Sequence, residues 1–336
     1  MKRRSTKRLI KRAATLLLPV LASLAVGSIL ILVSGKNPLV VYRNLFDAGF
    51  TCHAGSGRCA LLTTLQFATP LIFSGLSAVV ALRAGFFSIG QAGQMLFGAA
   101  AATWVGAHPG LPPFLHPSAA LLGAAFFGAL WGLVPAILKE YIGVNEIIST
   151  LLLNSVAGIL VGLTRPGILA ESARLLPLVP GTKVTAGILL AASAVVFIYV
   201  YLWKTTHGLE MRSGAQAVRF ALYGGVARHI PVLRAMALSG ALAGLAGAVE
   251  VLGVHYKFVN SFSAINDFDG LIIAFAGHLH PAGVLLLSFL LGGLRAGSIV
   301  GLQIRSGIPR ELGGALIALL LVFAAMHKFY RNGKEQ

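Results

Sequence analysis

Side chains able to do acid–base or ion-relay chemistry are scarce in this chain. Its 336 residues hold ten acidic side chains. Only Glu250 falls well inside an apolar stretch; Glu146 opens another, and Asp267 and Asp269 flank a short apolar segment. An enzyme working inside a membrane needs paired carboxylates, or a nucleophile beside a base. Ion-coupled transporters commonly need buried carboxylates or histidines as relays, and a lone Glu250 serves that purpose poorly. The sequence has no GxxxxGK(S/T) loop to cradle nucleotide phosphates, and no CxxC, HExxH or GxSxG. No catalytic residue, no metal site and no cofactor bound by this chain is therefore expected. His278 and His280, in HLHP, sit at a turn between two apolar segments and read as interfacial histidines.

The two cysteines, Cys52 and Cys59, lie in CHAGSGRC, with small and turn-forming residues between them. Outside the cytoplasm such a pair closes readily into a disulfide; the alternative is two unpaired thiols in a loop. A metal site on Cys52, His53 and Cys59 lacks a fourth ligand nearby.

The elements that carry these residues are apolar. Hydrophobic residues make up 57% of the chain and charged residues 11%, at a mean hydropathy of +0.83. A soluble domain carries roughly 25% charged residues, so lipid is the solvent. The net charge of +17 does not form a nucleic-acid patch: seven of the 27 Lys/Arg lie in MKRRSTKRLIKR, directly before an apolar span. That is the positive-inside pattern of a cytoplasmic N-terminus. A cleaved signal peptide is the rival, but no clear small-residue cleavage site follows.

Stretches long enough to cross about 30 Å of hydrocarbon fall near 13–33, 61–82, 86–106, 118–138, 147–164, 185–203, 231–252, 283–301 and 311–327. Phe268–Gly277 adds a short or re-entrant helix. Ten segments with both termini cytoplasmic put 17 Lys/Arg inside and nine outside. The expected fold is thus all-α and integral to the membrane, as one domain. It comprises a basic tail over 1–12, a membrane domain over 13–327 and a second cytoplasmic tail over 328–336. NPLVVYRNLFDAGF, in the first outside loop, fits a short helix on the membrane surface. Glycines at 240, 244 and 247, and at 293, 297 and 301, have the spacing of close helix contacts. Pro70, Pro135 and Pro231 are expected to kink or start helices. Arg295, within a span, must snorkel, face a wet cavity or pair, with Glu250 or Asp269 as candidate partners.

One cytoplasmic segment stands apart. Lys204–Ile230 carries GLEMRSGAQAVRFALYGGVARHI between two apolar spans. As an amphipathic helix along the membrane it offers Leu209, Met211, Val218, Phe220 and Leu222 to a groove, and Arg212 and Arg219 to acidic groups at its rim. Such a segment is a lever for a partner protein. The plainer alternative is a basic loop that only sets topology.

RAGFFSIGQAGQMLFGA (83–99), GVNEIISTLLLN (143–154), that loop, SGALAGLAGA (239–248) and FDGLIIAFAGHLHPAG (268–283) occur in this order. Together, over about residues 37–328, the chain resembles the permease subunit of bacterial ABC importers of the ribose-type group, nearest the nucleoside-uptake branch. The resemblance implies an inner-membrane permease working with an ABC ATPase that binds the ATP, a second and different permease, and an extracytoplasmic solute-binding protein. It implies that Gly208, Arg212, Ala221, Tyr223 and Gly225 belong to the ATPase-coupling motif. The chain departs from that motif at Ala215, Ala217 and Phe220, which bears on the fit to a given ATPase.

A nucleoside-like solute has a flat base and ribose hydroxyls, which suit aromatic and amide side chains. Phe86, Gln91 and Gln94, with Glu146 and Asn154, and Asp269 before the short helix, are candidates to line its path; Phe87, Asn145, Asn266 and Asp267 lie beside them. The same residues equally suit core packing and hydrogen bonds between helices. Rival functions are a pentose or other sugar permease, an ion-coupled secondary transporter, and a membrane assembly protein.

Overall fold

The structure is a computed structural model describing residues 21–52, 59–108, 110–164, 167–216, 223–225, 229–259, 268–309 and 312–319. Every element of it is helical, and β-pairing among the described residues is confined to isolated bridges. In chain order the helices are α1 (Leu21–Val33), α2 (Pro38–Phe50), α3 (Ala60–Arg83), α4 (Gln91–Ala107), α5 (Leu115–Ile137), α6 (Glu146–Thr164), α7 (Gly187–Lys204), α8 (Thr206–Gln216), α9 (Ile230–Glu250), α10 (Asp269–Ala276) and α11 (Pro281–Ala296). Three of them run on as π-helix, α5 through Leu138–Ile142, α9 through Val251–His255 and α11 through Gly297–Arg305.

Among the described residues six helices are long and apolar enough to span: Ala60–Arg83, Leu115–Ile142, Glu146–Thr164, Gly187–Lys204, Ile230–His255 and Pro281–Arg305. The pair α1 and α2, bent by 113°, makes a seventh if it is counted as one broken span. The apolar stretch read at 86–106 is shorter as a helix, because residues 86–89 form no regular element and α4 begins only at Gln91. The short segment near 268–277 forms α10, whose eight residues cover about 12 Å, too little to cross hydrocarbon. Of the stretch near 311–327, only 312–319 lies within the described residues.

The chain forms two compact units, residues 1–64 with 290–336, and residues 65–289. In the first, α2 packs along the π-helical end of α11. A methyl group at Gly297 or Gly301 would strike the backbone of Leu45 or Asn44, and one at Gly293 the ring of Phe50. Val41 and Leu45 are buried there, so the helix read as lying on the membrane surface has one face packed against protein. Cys52 and Cys59, Cα atoms 4.2 Å apart, are joined by a disulfide.

In the second unit α9 is central and packs on α4 and α5. Their crossing is built on glycine. A Cβ on Gly98 would meet Gly244, one on Gly128 would meet Gly240, and one on Gly247 would meet the Met95 carbonyl. Such close approach lets the three backbones gain dispersion contacts without competing with lipid tails for apolar burial. Ser77 of α3 and Ser239 of α9 share a buried hydrogen bond of 2.9 Å. Outward positions are apolar: Leu122, Ile159 and Val196 are 72%, 66% and 62% exposed, which only a hydrocarbon solvent makes favourable. Pro70 and Pro135 lie inside α3 and α5, and Pro231 opens α9.

Candidate functional site

The first site is the break between α3 and α4. Gly85 takes a left-handed φ of 78°, and the Phe86 N–H turns back to the Ala81 carbonyl at 3.0 Å, which ends α3. The loop beyond is held by α6. The Ile89 N–H donates to Thr150 Oγ1 at 3.3 Å, and Asn154 Nδ2 donates to the Ile89 carbonyl at 2.8 Å. Asn154 Oδ1 accepts the Gly93 N–H at 2.9 Å. That N–H belongs to the first turn of α4, which has no partner within its own helix, so Asn154 caps α4 from outside.

Phe86 is fully buried with Ala81, Ala136 and Met236. Lys139 stands over its ring at 4.8 Å and pairs with Glu146 Oε1 at 2.8 Å. Gln91 and Gln94 are 0% and 1% exposed. Gln91 Nε2 donates to the Ser88 carbonyl at 3.2 Å, whereas Gln91 Oε1 and both amide atoms of Gln94 have no hydrogen-bond partner among the described residues. Five of the six path candidates therefore gather at this break. Phe86, Glu146 and Asn154 are engaged in holding it, and the two glutamines keep unused hydrogen-bonding capacity. Asp269 is placed elsewhere, at the N-terminus of α10. There its negative charge suits the helix dipole. Asn266 and Asp267 lie outside the described residues.

The second site is the segment over 204–230, between two apolar spans. Only Thr205 separates α7 from α8; its hydroxyl donates to the Tyr201 carbonyl at 2.6 Å and accepts the Gly208 N–H at 3.2 Å. A Cβ at Gly208 would collide with the carbonyls of Tyr201 and Leu202. Glycine is required for α8 to fold back so tightly. This packing buries Met211, 1% exposed, which corrects its reading as a residue offered to a groove, while Leu209 remains 60% exposed. Arg212 lies over the Trp203 ring at 5.6 Å, and Arg83, at the end of α3, lies over the same ring at 5.2 Å. Glu210 pairs with Arg234 of α9 at 3.4 Å, and Arg234 also meets His207 at 3.0 Å. Tyr223 is 92% exposed and Gly225 has a φ of 79°. Phe220 and Ala221, with Val218, Arg219 and Leu222, lie outside the described residues.

A third feature was not read from the sequence. Gln66, Thr69, Lys183, Thr185 and Glu250 line a small polar recess beside Pro70 and Val254. Lys183 Nζ donates to the Val254 carbonyl at 3.2 Å, and Glu250 meets His255 at 3.5 Å across the π-helical turn. Pro70 removes one backbone donor from α3 and the π-turn shifts the register of α9, so polar side chains collect where two helices are irregular. The sequence signal was a proline preceded by Gln66 and Thr69, which hydropathy alone passes over. Among the described residues no group of three or more His, Cys, Asp or Glu gathers as a metal site.

Comparison with known proteins adds the remaining evidence. A family model described as the branched-chain amino acid transport system permease component matches residues 60–325. The guanosine ABC transporter permease protein of Bacillus subtilis is 34% identical, over 94% of this chain and 95% of its own length. The glucose ABC transporter permease protein of Haloferax volcanii is 33% identical, over 95% and 88%. The nucleoside ABC transporter permease protein NupB of Lactococcus lactis is 28% identical, over 92% and 90%. No solved structure matches.

Proposed function

Because this chain belongs to the permease-component family of the branched-chain amino acid transport system type, we propose that it admits a nucleoside-like solute delivered by an extracytoplasmic binding protein. It is the membrane subunit of an ABC importer and a multi-pass protein of the inner membrane; ATP is hydrolysed on a separate subunit. The observation that carries the nucleoside reading is the near full-length likeness to a guanosine permease, at 34% identity. The unpartnered amides of Gln91 and Gln94 support it. They are the groups left to bond solute hydroxyls or base edges once the helices part, since an unmet buried amide gains most from a new partner.

In this reading the chain has about ten membrane segments, one of them the short or re-entrant α10, with both termini in the cytoplasm; it binds no cofactor and pairs with a second, different permease. The ATPase docks on the segment over 204–230. There Leu209 and Tyr223 provide exposed apolar surface, Gly208 and Arg212 fix α8 on α7, and Gly225 shapes the end of the segment. Phe220 and Ala221 belong to the same docking segment.

The second reading is a sugar permease, favoured by the 33% identical glucose relative. Uptake of labelled guanosine by cells carrying the complete transporter separates the two. The proposal expects competition by excess nucleosides and none by glucose or ribose; the reverse pattern selects the sugar reading. Purification of the tagged permease in mild detergent is expected to bring down the ATPase and a second, different permease. Recovery of a single permease species with the ATPase would replace the heterodimer by a homodimer.

A further inference from the structure

The HLHP turn is built into the same cluster as α8. After α10 the chain turns through His278 and Leu279, with φ of 59° and 53°, before α11 starts at Pro281. Two consecutive left-handed residues, neither of them glycine, persist only where their surroundings hold them. Arg83 supplies that hold: its Nε donates to the Leu279 carbonyl at 3.0 Å and a terminal nitrogen to the His278 carbonyl at 3.3 Å. A planar guanidinium suits this paired recognition, and lysine cannot reproduce it. The next residue, His280, lies against Trp203 at 5.0 Å and Tyr199 at 5.7 Å. Its Nδ1 accepts the Ala282 N–H at 3.2 Å, at the start of α11. One indole, Trp203, therefore touches Arg212 of α8, Arg83 of α3 and His280 of the turn.

The turn is in turn rigidly joined to α10. A Cβ at Gly270 would strike Ser74, and one at Gly277 would strike the Gly283–Val284 backbone. Ile273 sits where a side chain on Gly75 would go. The short helix cannot slide without moving the turn.

We infer that Arg83, Trp203 and His280 are positioning residues that transmit displacement of α8 to the HLHP turn and α10, and so couple nucleotide-driven motion to the helix whose N-terminus carries Asp269. The inference rests on α8 being the surface that the ATPase moves. Packed side chains with discrete arrangements carry such coupling, and substitutions along them change it by roughly two- to thirtyfold. Hydrophobic burial alone would not require two guanidinium groups over the Trp203 ring and an imidazole beside it.

The test uses the complete transporter in proteoliposomes and compares solute uptake with ATP hydrolysed. His280→Ala and Arg83→Lys are expected to assemble with the ATPase and hydrolyse ATP normally, while uptake per ATP falls by roughly two- to thirtyfold. His280→Phe, which keeps a ring against Trp203, is expected to recover most of that loss. An unchanged ratio in both variants, or no difference between Phe and Ala at position 280, overturns the inference. If the variants do not assemble, the wild-type contacts are read directly. With Trp104 and Trp131 replaced by Phe, Trp203 emission should shift when a non-hydrolysable ATP analogue closes the ATPase; constant emission overturns the inference. Leu209→Asp separates the two levels of the argument. Retained ATPase binding and uptake in that variant refutes docking on α8, whereas loss of binding there with normal coupling in the Arg83 and His280 variants refutes the relay alone.

Discussion

Replacing Asn154 by Ala tests whether one side chain holds the break between α3 and α4. The amide makes two hydrogen bonds, 2.8 Å to the Ile89 carbonyl and 2.9 Å from the Gly93 N–H. Hydrogen bonds between membrane helices contribute about 0.6 kcal/mol each on average, and soluble-protein values centre near 1 kcal/mol. Deletion also strands two buried backbone groups, since Ile89 and Gly93 are both buried, and each such group costs about 1–3 kcal/mol. The cost of stranding a group already contains the bond it lost, so two stranded groups put Asn154→Ala at about 2–6 kcal/mol. For a chain of this size that lowers the melting temperature by about 3–9 °C. The assay is heat challenge of the detergent-solubilised permease followed by fluorescence-detected gel filtration, with Ser155→Ala, on the exposed side of the same helix, as control. Melting of Asn154→Ala within about one degree of the control would show that the loop is held by other forces, and that Asn154 is free for the solute.

Other substitutions probe the packing, the lever, the disulfide and the energy source. Gly244→Ala places a methyl against the Ala124 carbonyl and should cost about 1–3 kcal/mol as overpacking; Gly158→Ala, whose Cβ meets nothing within 4 Å, should stabilise α6 by about 0.5–1 kcal/mol, both read by the same melting assay. Arg212→Ala combined with Phe220→Ala should abolish uptake while membrane insertion, followed by blotting of membrane fractions, stays normal; full uptake discards the lever. A membrane-impermeant maleimide should label Cys52 and Cys59 only after reduction, and labelling of untreated cells would show free thiols. Glu250→Gln should keep uptake that a protonophore does not stop, because its carboxylate is held by His255 at 3.5 Å and serves the local structure; loss of uptake in the variant would make Glu250 a relay.

The six long spans among the described residues were legible because each is a continuous apolar run, and lipid exposure at positions such as Leu122 and Ile159 selects for apolarity whatever the neighbours are. The glycine contacts were legible for a related reason: only a residue without a Cβ fits where Gly128 meets Gly240. The start of α4 was not. Hydropathy carries residues 86–89 into the helix, whereas Thr150 and Asn154, distant in sequence, satisfy the Ile89 backbone groups in a non-helical loop. The π-helical ends at Leu138–Ile142, Val251–His255 and Gly297–Arg305 leave no periodicity to read over so few residues. Within the candidate sites, residue types pointed to Gln91 and Gln94, but not to their lack of partners, which is a property of packing. Trp203, Arg83 and His280 were invisible as a group because no spacing in sequence unites three residues that meet only through α3, α7 and the HLHP turn.

Uptake of labelled guanosine into proteoliposomes holding the purified permease, its ATPase and its binding protein tests the central claim most directly. The account predicts uptake that requires internal or external ATP on the ATPase side, persists with a protonophore and is displaced by unlabelled nucleosides. Uptake that needs no ATP and collapses with the proton gradient, or that glucose displaces and nucleosides do not, would contradict it.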